Sequence, residues 1–347
     1  MARHTQSNPT SILPEPIPAG LHLRAAMRLI PAAPHEREIM ARRFLAGVKA
    51  SGHDLKNLWG TIDRTDEIPT VREVCLAITG PGRTAMLFVS APAPDAAEPN
   101  DAMALYDRAA CITAASDHLD PNLVTICQGL PEPHEFWAID AFREAGFTHV
   151  GELAYLEMPL PKNPEKPGNS PITWPAGILV RPIQDNLSPD SPDHNRLRQV
   201  LDASYQDTMD CPELCGLRNT DDVIQSHLAT GTFDPQGWLL VFKDQQPIGC
   251  MLVSMIPENN TAELVYIGIA PGGRGLGLGK SLVCRSIEIF SRLGAEKLVC
   301  AVDRRNAPAL ALYNAFGFSE FSARDAWVRP NNSFLPRDVH ANCVKGG

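Results

Sequence analysis

A chain of 347 residues has room for two domains, each with its own core. Its 44% hydrophobic and 20% charged residues are ordinary for a soluble globular protein, and a net charge of −9 argues against a broad nucleic-acid-binding face, leaving small or basic partners. Nine cysteines, an odd number without a C-x-x-C pair, fit reduced thiols in a cytoplasm better than a disulfide framework.

Residues 1–20 are polar, hold four prolines and lack the apolar core of a signal peptide, so a disordered tail is expected there. No apolar run approaches the roughly 20 residues needed to cross a bilayer, which predicts a soluble, cytoplasmic protein without membrane contact. From Leu21 the chain reads as a strand and then a helix, with Ile39, Met40, Phe44, Leu45 and Val48 on one face between Pro34 and Gly52. Val74 to Thr79 and Ala85 to Ala91 read as two strands joined by Gly80-Pro81-Gly82. A helix over 102–116, a strand over 123–128 and a helix over 133–145 follow. Residues 161–175 carry five prolines and read as a linker.

Beyond the linker the pattern restarts. A strand at Ile178 to Arg181 precedes a helix with Leu197, Val200, Leu201 and Tyr205 on one face, and a second helix spans about 221–229. Strands at 238–242 and 248–254 lead to a buried strand at Leu264 to Ile269, a glycine-dense turn from Pro271 to Gly279, and a helix opening at Lys280. Such a layout presents bare backbone amides to an anion. Spacing excludes two common phosphate loops. A Walker A loop would need a glycine where Arg274 stands, and the dinucleotide fingerprint from Gly273 or Gly275 meets Leu278 or Lys280 instead of its third glycine.

What remains is R-G-x-G-x-G, Arg274 to Gly279. It is followed by a strand at Leu298 to Val302 and by Asn306, Ala309, Leu312, Tyr313, Gly317 and Phe318 in the spacing N-x-x-A-x-x-L-Y-x-x-x-G-F. These two motifs, in this order, resemble the GCN5-related N-acetyltransferase (GNAT) superfamily. The resemblance implies a mixed α/β fold and acetyl-CoA as co-substrate. Its pyrophosphate would sit on Arg274, Gly275, Leu276, Gly277, Leu278, Gly279 and Lys280, with Ile267 and Ile269 along the thioester and an oxyanion donor near Ile269. Asn306 reads first as a helix N-cap ahead of Pro308.

Attack on the thioester needs a neutral amine, whereas an alkylamine with a pKa of about 10 is mostly protonated at neutral pH. The resemblance assigns Glu263 as the base, which would need a raised pKa or a relay, and Tyr313 as the acid for the leaving thiolate. The acceptor is expected to approach over Asp210 to Thr220, where Asp210 or Glu213 could hold a cationic amine. Cys211 and Cys215, with only His227 nearby, supply too few ligands for a metal, and none is expected.

The first half repeats the scaffold without its chemistry. Gly146-Phe147 aligns with Gly317-Phe318 and Pro92 with Pro271, but the turn after Pro92 has no glycine or arginine and carries Asp95, Glu98 and Asp101, while Phe142 takes the place of Tyr313. The expected layout is thus a tail over 1–20, a degenerate GNAT-like domain over 21–160, the linker over 161–175, a catalytic domain over 176–330 and a tail over 331–347. The function expected is N-acetyl transfer from acetyl-CoA to a primary amine of a small molecule or peptide by a chain that is a monomer, or else a dimer. The alternative is a non-catalytic acyl-CoA sensor, which would keep the loop but not Tyr313.

Overall fold

The computed structural model describes residues 12–50, 55–92, 101–162 and 172–331, so Asp95, Glu98, most of the expected linker and most of both expected tails lie outside the described residues. The chain divides into two compact units, Met1–His149 with Asp325–Leu335, and Val150–Arg324 with Pro336–Gly347. The division falls about ten residues before the proline-rich stretch, and each unit includes chain from the other half of the sequence.

In the first unit, β1 (Glu15–Pro16) precedes α1 (His22–Leu29) and α2 (Pro34–Ala50). Strands β2 (Leu58–Asp63), β3 (Thr70–Gly80) and β4 (Thr84–Val89) follow, then α3 (Ala102–Asp117), β5 (Ile126–Gly129) and α4 (Phe136–Glu144). β1 to β4 run antiparallel, and β4 lies parallel to β5. Three differences from the expected pattern stand out. Leu21 onward is helix rather than strand, because Ala25 and Ala26 sit fully buried on one helical face and Arg28 ties α1 to the Arg72 carbonyl at 2.8 Å. The expected tail is anchored in its described part, since Glu15 and Pro16 pair with β2 and Ile17 enters the core. On α2 the buried residue is Ala41, and Ile39 and Met40 are exposed: the small side chain marks the face of closest approach.

The second unit opens with most of β6 (Thr148–Pro159), which pairs antiparallel with β11 (Lys297–Asp303). Its sequence alternates, burying Val150, Ala154, Leu156 and Met158, as expected of a strand with one face in a core. β7 (Ile178–Pro182), α5 (Pro192–Ser204), α6 (Thr220–Leu228), β8 (Trp238–Lys243), β9 (Gln246–Ile256) and β10 (Thr261–Ile269) follow. α7 (Leu278–Arg292), β11, α8 (Ala307–Ala315) and β12 (Ser319–Pro330) complete the order. Within this unit the strands lie in the order β12-β6-β11-β10-β9-β8-β7, β12 contributing its first half. The final residues of β12, Trp327–Pro330, pair with β5 and belong to the first unit.

α5 shows how local sequence sets the second unit. Ser191 caps it by accepting the His194 amide at 3.4 Å, Pro192 occupies the first turn, and Leu197, Val200 and Leu201 are fully buried against β8 and β9. Each such side chain contributes about 1.5–3 kcal/mol when fully buried. The opposite sheet face carries α7 and α8 through Leu278, Leu282, Val283, Phe290 and Tyr313.

Candidate active site

The site begins where two strands part. β10 lies parallel to β11 from Thr261↔Lys297 to Leu264↔Cys300, and the pairing stops there. At the same place the register against β9 slips between Leu264 and Tyr266, a bulge that adds one residue to β10. Beyond it β10 keeps its bonds to β9 while its other edge is open. The Ala270 amide donates to the Ile248 carbonyl at 2.8 Å, so strand alternation turns the amides of Ile269 and Ile267 away from β9 and into the gap.

A cavity of about 410 Å³ occupies this gap. β10 lines it from Leu264 to Ile269, β11 contributes Ala301 and Val302, and α8 supplies Asn306, Leu312 and Tyr313. The loop after α5 adds Asp207 to Asp210, and Arg274 and Gly279 border it from the glycine turn. Of the candidate residues, Ile267, Ile269, Arg274, Gly279, Asn306, Tyr313 and Asp210 therefore share one cavity. Gly275, Leu276, Gly277, Leu278, Lys280, Glu213 and Glu263 do not line it.

The glycine turn ends on Gly277, which caps α7 at φ 73°, with Gly275 at φ 77°. A Cβ at either would meet no atom within 4 Å, so these glycines serve the left-handed backbone and leave its amides open to approach. The amides of Leu278, Gly279 and Lys280, in the first turn of α7, have no helical partner and face outward with the positive end of the helix dipole. Leu278 itself is core. Arg274, expected at the phosphate, borders the cavity and also makes contacts within the chain. Its guanidinium donates to three carbonyls, those of Ile269 (3.1 Å), Ser204 (3.2 Å) and Gln206 (2.6 Å), and so ties the open edge of β10 to the end of α5.

Tyr313 is 4% exposed, and burial pushes its hydroxyl well above the ordinary tyrosine range, so it stays protonated through neutral pH. Asn306 caps α8, accepting the Ala309 amide at 3.2 Å. Glu263 pairs with Ser254 and Val299 one step before the gap, and burial raises its carboxyl pKa.

The sequence did not single out the ion cluster that Glu213, on the loop after α5, makes with Arg305 and Asp303. Arg305 grips Glu213 through both nitrogens, at 2.6 and 2.8 Å, and reaches Asp303 at 2.7 Å. Asp303 is fully buried, which alone would raise it. Hydrogen bonds from the Arg305 side chain and from the amides of Arg305 and Cys211 outweigh burial and hold it below the usual carboxylate range. Glu213 is also held low by Arg305, so it is committed to that arginine rather than free for an amine. Asp210 accepts the Asp303 amide at 2.9 Å and keeps its carboxylate on the cavity. Tyr266, also missed, lines the cavity and shares a 2.7 Å hydrogen bond with the Ser204 hydroxyl. Its position inside an apolar strand disguised it as core. Among the described residues no group of three or more His, Cys, Asp or Glu could hold a metal, and no helix is long and apolar enough to cross a membrane.

The second unit is thus a mixed α/β sheet whose central strands part over a cavity, with a glycine turn and an open helix start at its edge. Residues 201–318 match the family model described as Acetyltransferase (GNAT) family. A mycothiol acetyltransferase of Thermomonospora curvata is 27% identical over 185 residues, covering 53% of this chain and 57% of its own length. One of Rhodococcus erythropolis is 28% identical over 201 residues, covering 55% of this chain and 62% of its own. The chain thus spans less than two thirds of these relatives. A GCN5-related N-acetyltransferase of Sphaerobacter thermophilus superposes with a TM-score of 0.57 at 15% identity, over 94% of this chain and 97% of the other, a likeness of fold.

Proposed function

We propose that the second unit transfers an acetyl group from acetyl-CoA to a primary amine of a small molecule or peptide. The observation that carries this reading is the cavity between β10 and β11, which is lined by Ile267 and Ile269, whose amides turn from β9, and by Tyr313. A thioester laid in the gap would meet an amide as oxyanion donor. Its pyrophosphate would lie on the amides of Gly275 to Lys280, where the glycines permit close approach. Tyr313 stays protonated at neutral pH and can donate to the thiolate as the carbon–sulfur bond breaks. Glu263, the base implied by the family resemblance, has the raised pKa such a role requires but would reach the cavity only through a relay. The relatives named mycothiol acetyltransferase support a small-molecule acceptor.

Incubation with acetyl-CoA and a panel of polyamines, aminoglycosides, amino acids and peptides, read by mass spectrometry, tests this. An acetylated amine with release of CoA is the expected result. Tight acetyl-CoA binding without transfer to any member would favour the sensor, and no binding would defeat both readings.

A further inference from the structure

Burial raises two carboxyls near the parted strands above the ordinary carboxylate range, and only one of these residues lines the cavity. Glu263 sits on the paired part of β10, before the bulge, and does not line the gap. Asp210 lies on the loop after α5 and does line it, together with Tyr313 and Tyr266. Resting on the reading of this cavity as an acetyl-transfer site, we propose that Asp210 is the group that accepts the proton of the attacking amine, so that a carboxylate of the acceptor loop, rather than the strand glutamate, is the catalytic base.

The fold holds this carboxylate with unusual care for a loop residue. The backbone of Asp303, at the end of β11, donates to Asp210 Oδ1 at 2.9 Å. Asp303 in turn accepts the Cys211 amide at 3.0 Å, so the two chain segments clasp each other reciprocally. Arg305 locks the far side by bonding both Asp303 and Glu213. The cation is thus spent on those two carboxylates, and among the described residues Asp210 makes no ion pair of its own, its carboxylate taking hydrogen bonds from the Asp303 amide and the Asn306 side chain. The residue as a whole is exposed, yet the surrounding atoms partly desolvate its carboxyl.

The charges facing it account for its proton affinity. Crowding by its neighbours is the largest cause and raises the carboxyl, and the nearby negative Asp303 raises it further. The Asp303 amide, the Asn306 side chain and the positive Arg305 act in the opposite sense without cancelling the rise. From the strands and α8 the remaining groups are neutral at working pH. Burial raises Tyr313 and Tyr266, and pushes Cys300 up to about 12. Cys211 is likewise raised by burial. Asp207, on the same loop, also borders the cavity and adds negative charge. An ammonium entering here meets Asp207 and Asp210, while the guanidinium of Arg274, which also lines the cavity, is engaged by carbonyls.

The step balances without a further reactant. The amine nitrogen forms a bond to the thioester carbonyl carbon, and its excess proton passes to the Asp210 carboxylate. The carbon–sulfur bond then breaks, its electron pair leaves on sulfur, and the thiolate takes the Tyr313 proton. The proton on Asp210 and the charge on Tyr313 are exchanged with solvent through the open mouth.

Because the base must be ionised, activity is lost as pH falls through its raised pKa, and the acid limb of kcat/KM belongs to Asp210 if the assignment holds. The experiment uses the full chain and the best acceptor from the amine panel. Asp210→Asn keeps an oxygen for the Asp303 amide and should lower kcat by about 10²-fold or more, with the acid limb gone and acetyl-CoA affinity by calorimetry unchanged. Asp210→Glu should recover part of the rate and retain an acid limb, and it tests the idea even if the asparagine variant fails to fold. Glu263→Gln, whatever its rate, should keep the limb. A limb that survives Asp210→Asn, or vanishes in Glu263→Gln alone, overturns the assignment to Asp210 while leaving the acetyl-transfer reading intact. A wild-type chain that acetylates no amine defeats that reading and this inference with it.

Discussion

The ends of α4 and α8 are nearly superimposable in their logic and differ by one oxygen. Each helix stops on a left-handed glycine, Gly146 at φ 78° and Gly317 at φ 82°. After each, a phenylalanine amide bonds back to the carbonyl of the aromatic residue five positions earlier, Phe147 to Phe142 at 3.0 Å and Phe318 to Tyr313 at 3.2 Å. The rings lie 5.1 Å apart in the first unit and 5.3 Å in the second. The glycine stop and aromatic pair are therefore devices of folding, present whether or not a hydroxyl is. In the first unit the ring also packs against β5, so closely that a Cβ on Gly129 would lie 2.2 Å from it. In the second, the tyrosine borders a cavity.

The starts of α3 and α7 differ more. Asp101 caps α3 with its own carboxylate, accepting the Met103 amide at 3.1 Å. Gly277 caps α7 with no side chain, leaving the first-turn amides free. An anion built into the chain thus occupies the helix start in one unit, and a place for an external anion is left in the other. This is why acetyl-CoA binding is expected once per chain, in the second unit.

The largest effect expected from breaking that contrast is on binding. Gly277→Val puts a β-branched residue at φ 73° and two methyls over the amides, and should abolish acetyl-CoA binding measured by calorimetry on a folded protein. Wild-type stoichiometry should be near one. A value near two, or unchanged affinity in Gly277→Val, would show that the contrast between the two helix starts does not govern binding.

The next effect is on rate. Tyr313→Phe converts the second helix end into a copy of the first and should lower kcat by about 10²-fold with acetyl-CoA affinity little altered. The reverse change, Phe142→Tyr, should give no second activity. A hydroxyl placed there without a partner should instead cost the first unit about 1–3 kcal/mol, readable as a lower denaturation midpoint. Equal kcat in Tyr313→Phe would return the tyrosine to the purely structural part its counterpart plays.

What could be read from sequence was local. The Asn306 cap, the left-handed Gly317 and the spacing of Tyr313 all lie within one helix and its ends, where backbone geometry ties residue type to position. The loop after α5 was only half legible. Asp210 and Glu213 both stand out there by residue type, but that Glu213 is held in an ion pair depends on Arg305, 92 residues away in sequence. The contacts Arg274 makes within the chain were not legible for the same reason, because the carbonyls of Ser204 and Gln206 that it holds lie 70 and 68 residues away. β6 carried a clear period of two and was passed over beside the prolines. That its partner would be β11 is a long-range fact with no local signature.

The smallest effect expected is on the first unit's own helix start. Asp101→Ala removes the side-chain acceptor from the Met103 amide, and loss of such a cap costs about 1 kcal/mol. The negative charge at the positive end of α3 is lost as well, which acts in the same direction. Chemical denaturation should therefore show a modest fall in the midpoint of the first unit with an unchanged slope. Acetyl-CoA stoichiometry should remain near one, because uncapping frees an amide but supplies neither the glycine backbone nor a parted strand pair beside it. A second binding event in Asp101→Ala would mean that the carboxylate alone had been excluding the nucleotide, and that the first unit is a masked site rather than one whose chemistry has been replaced by packing.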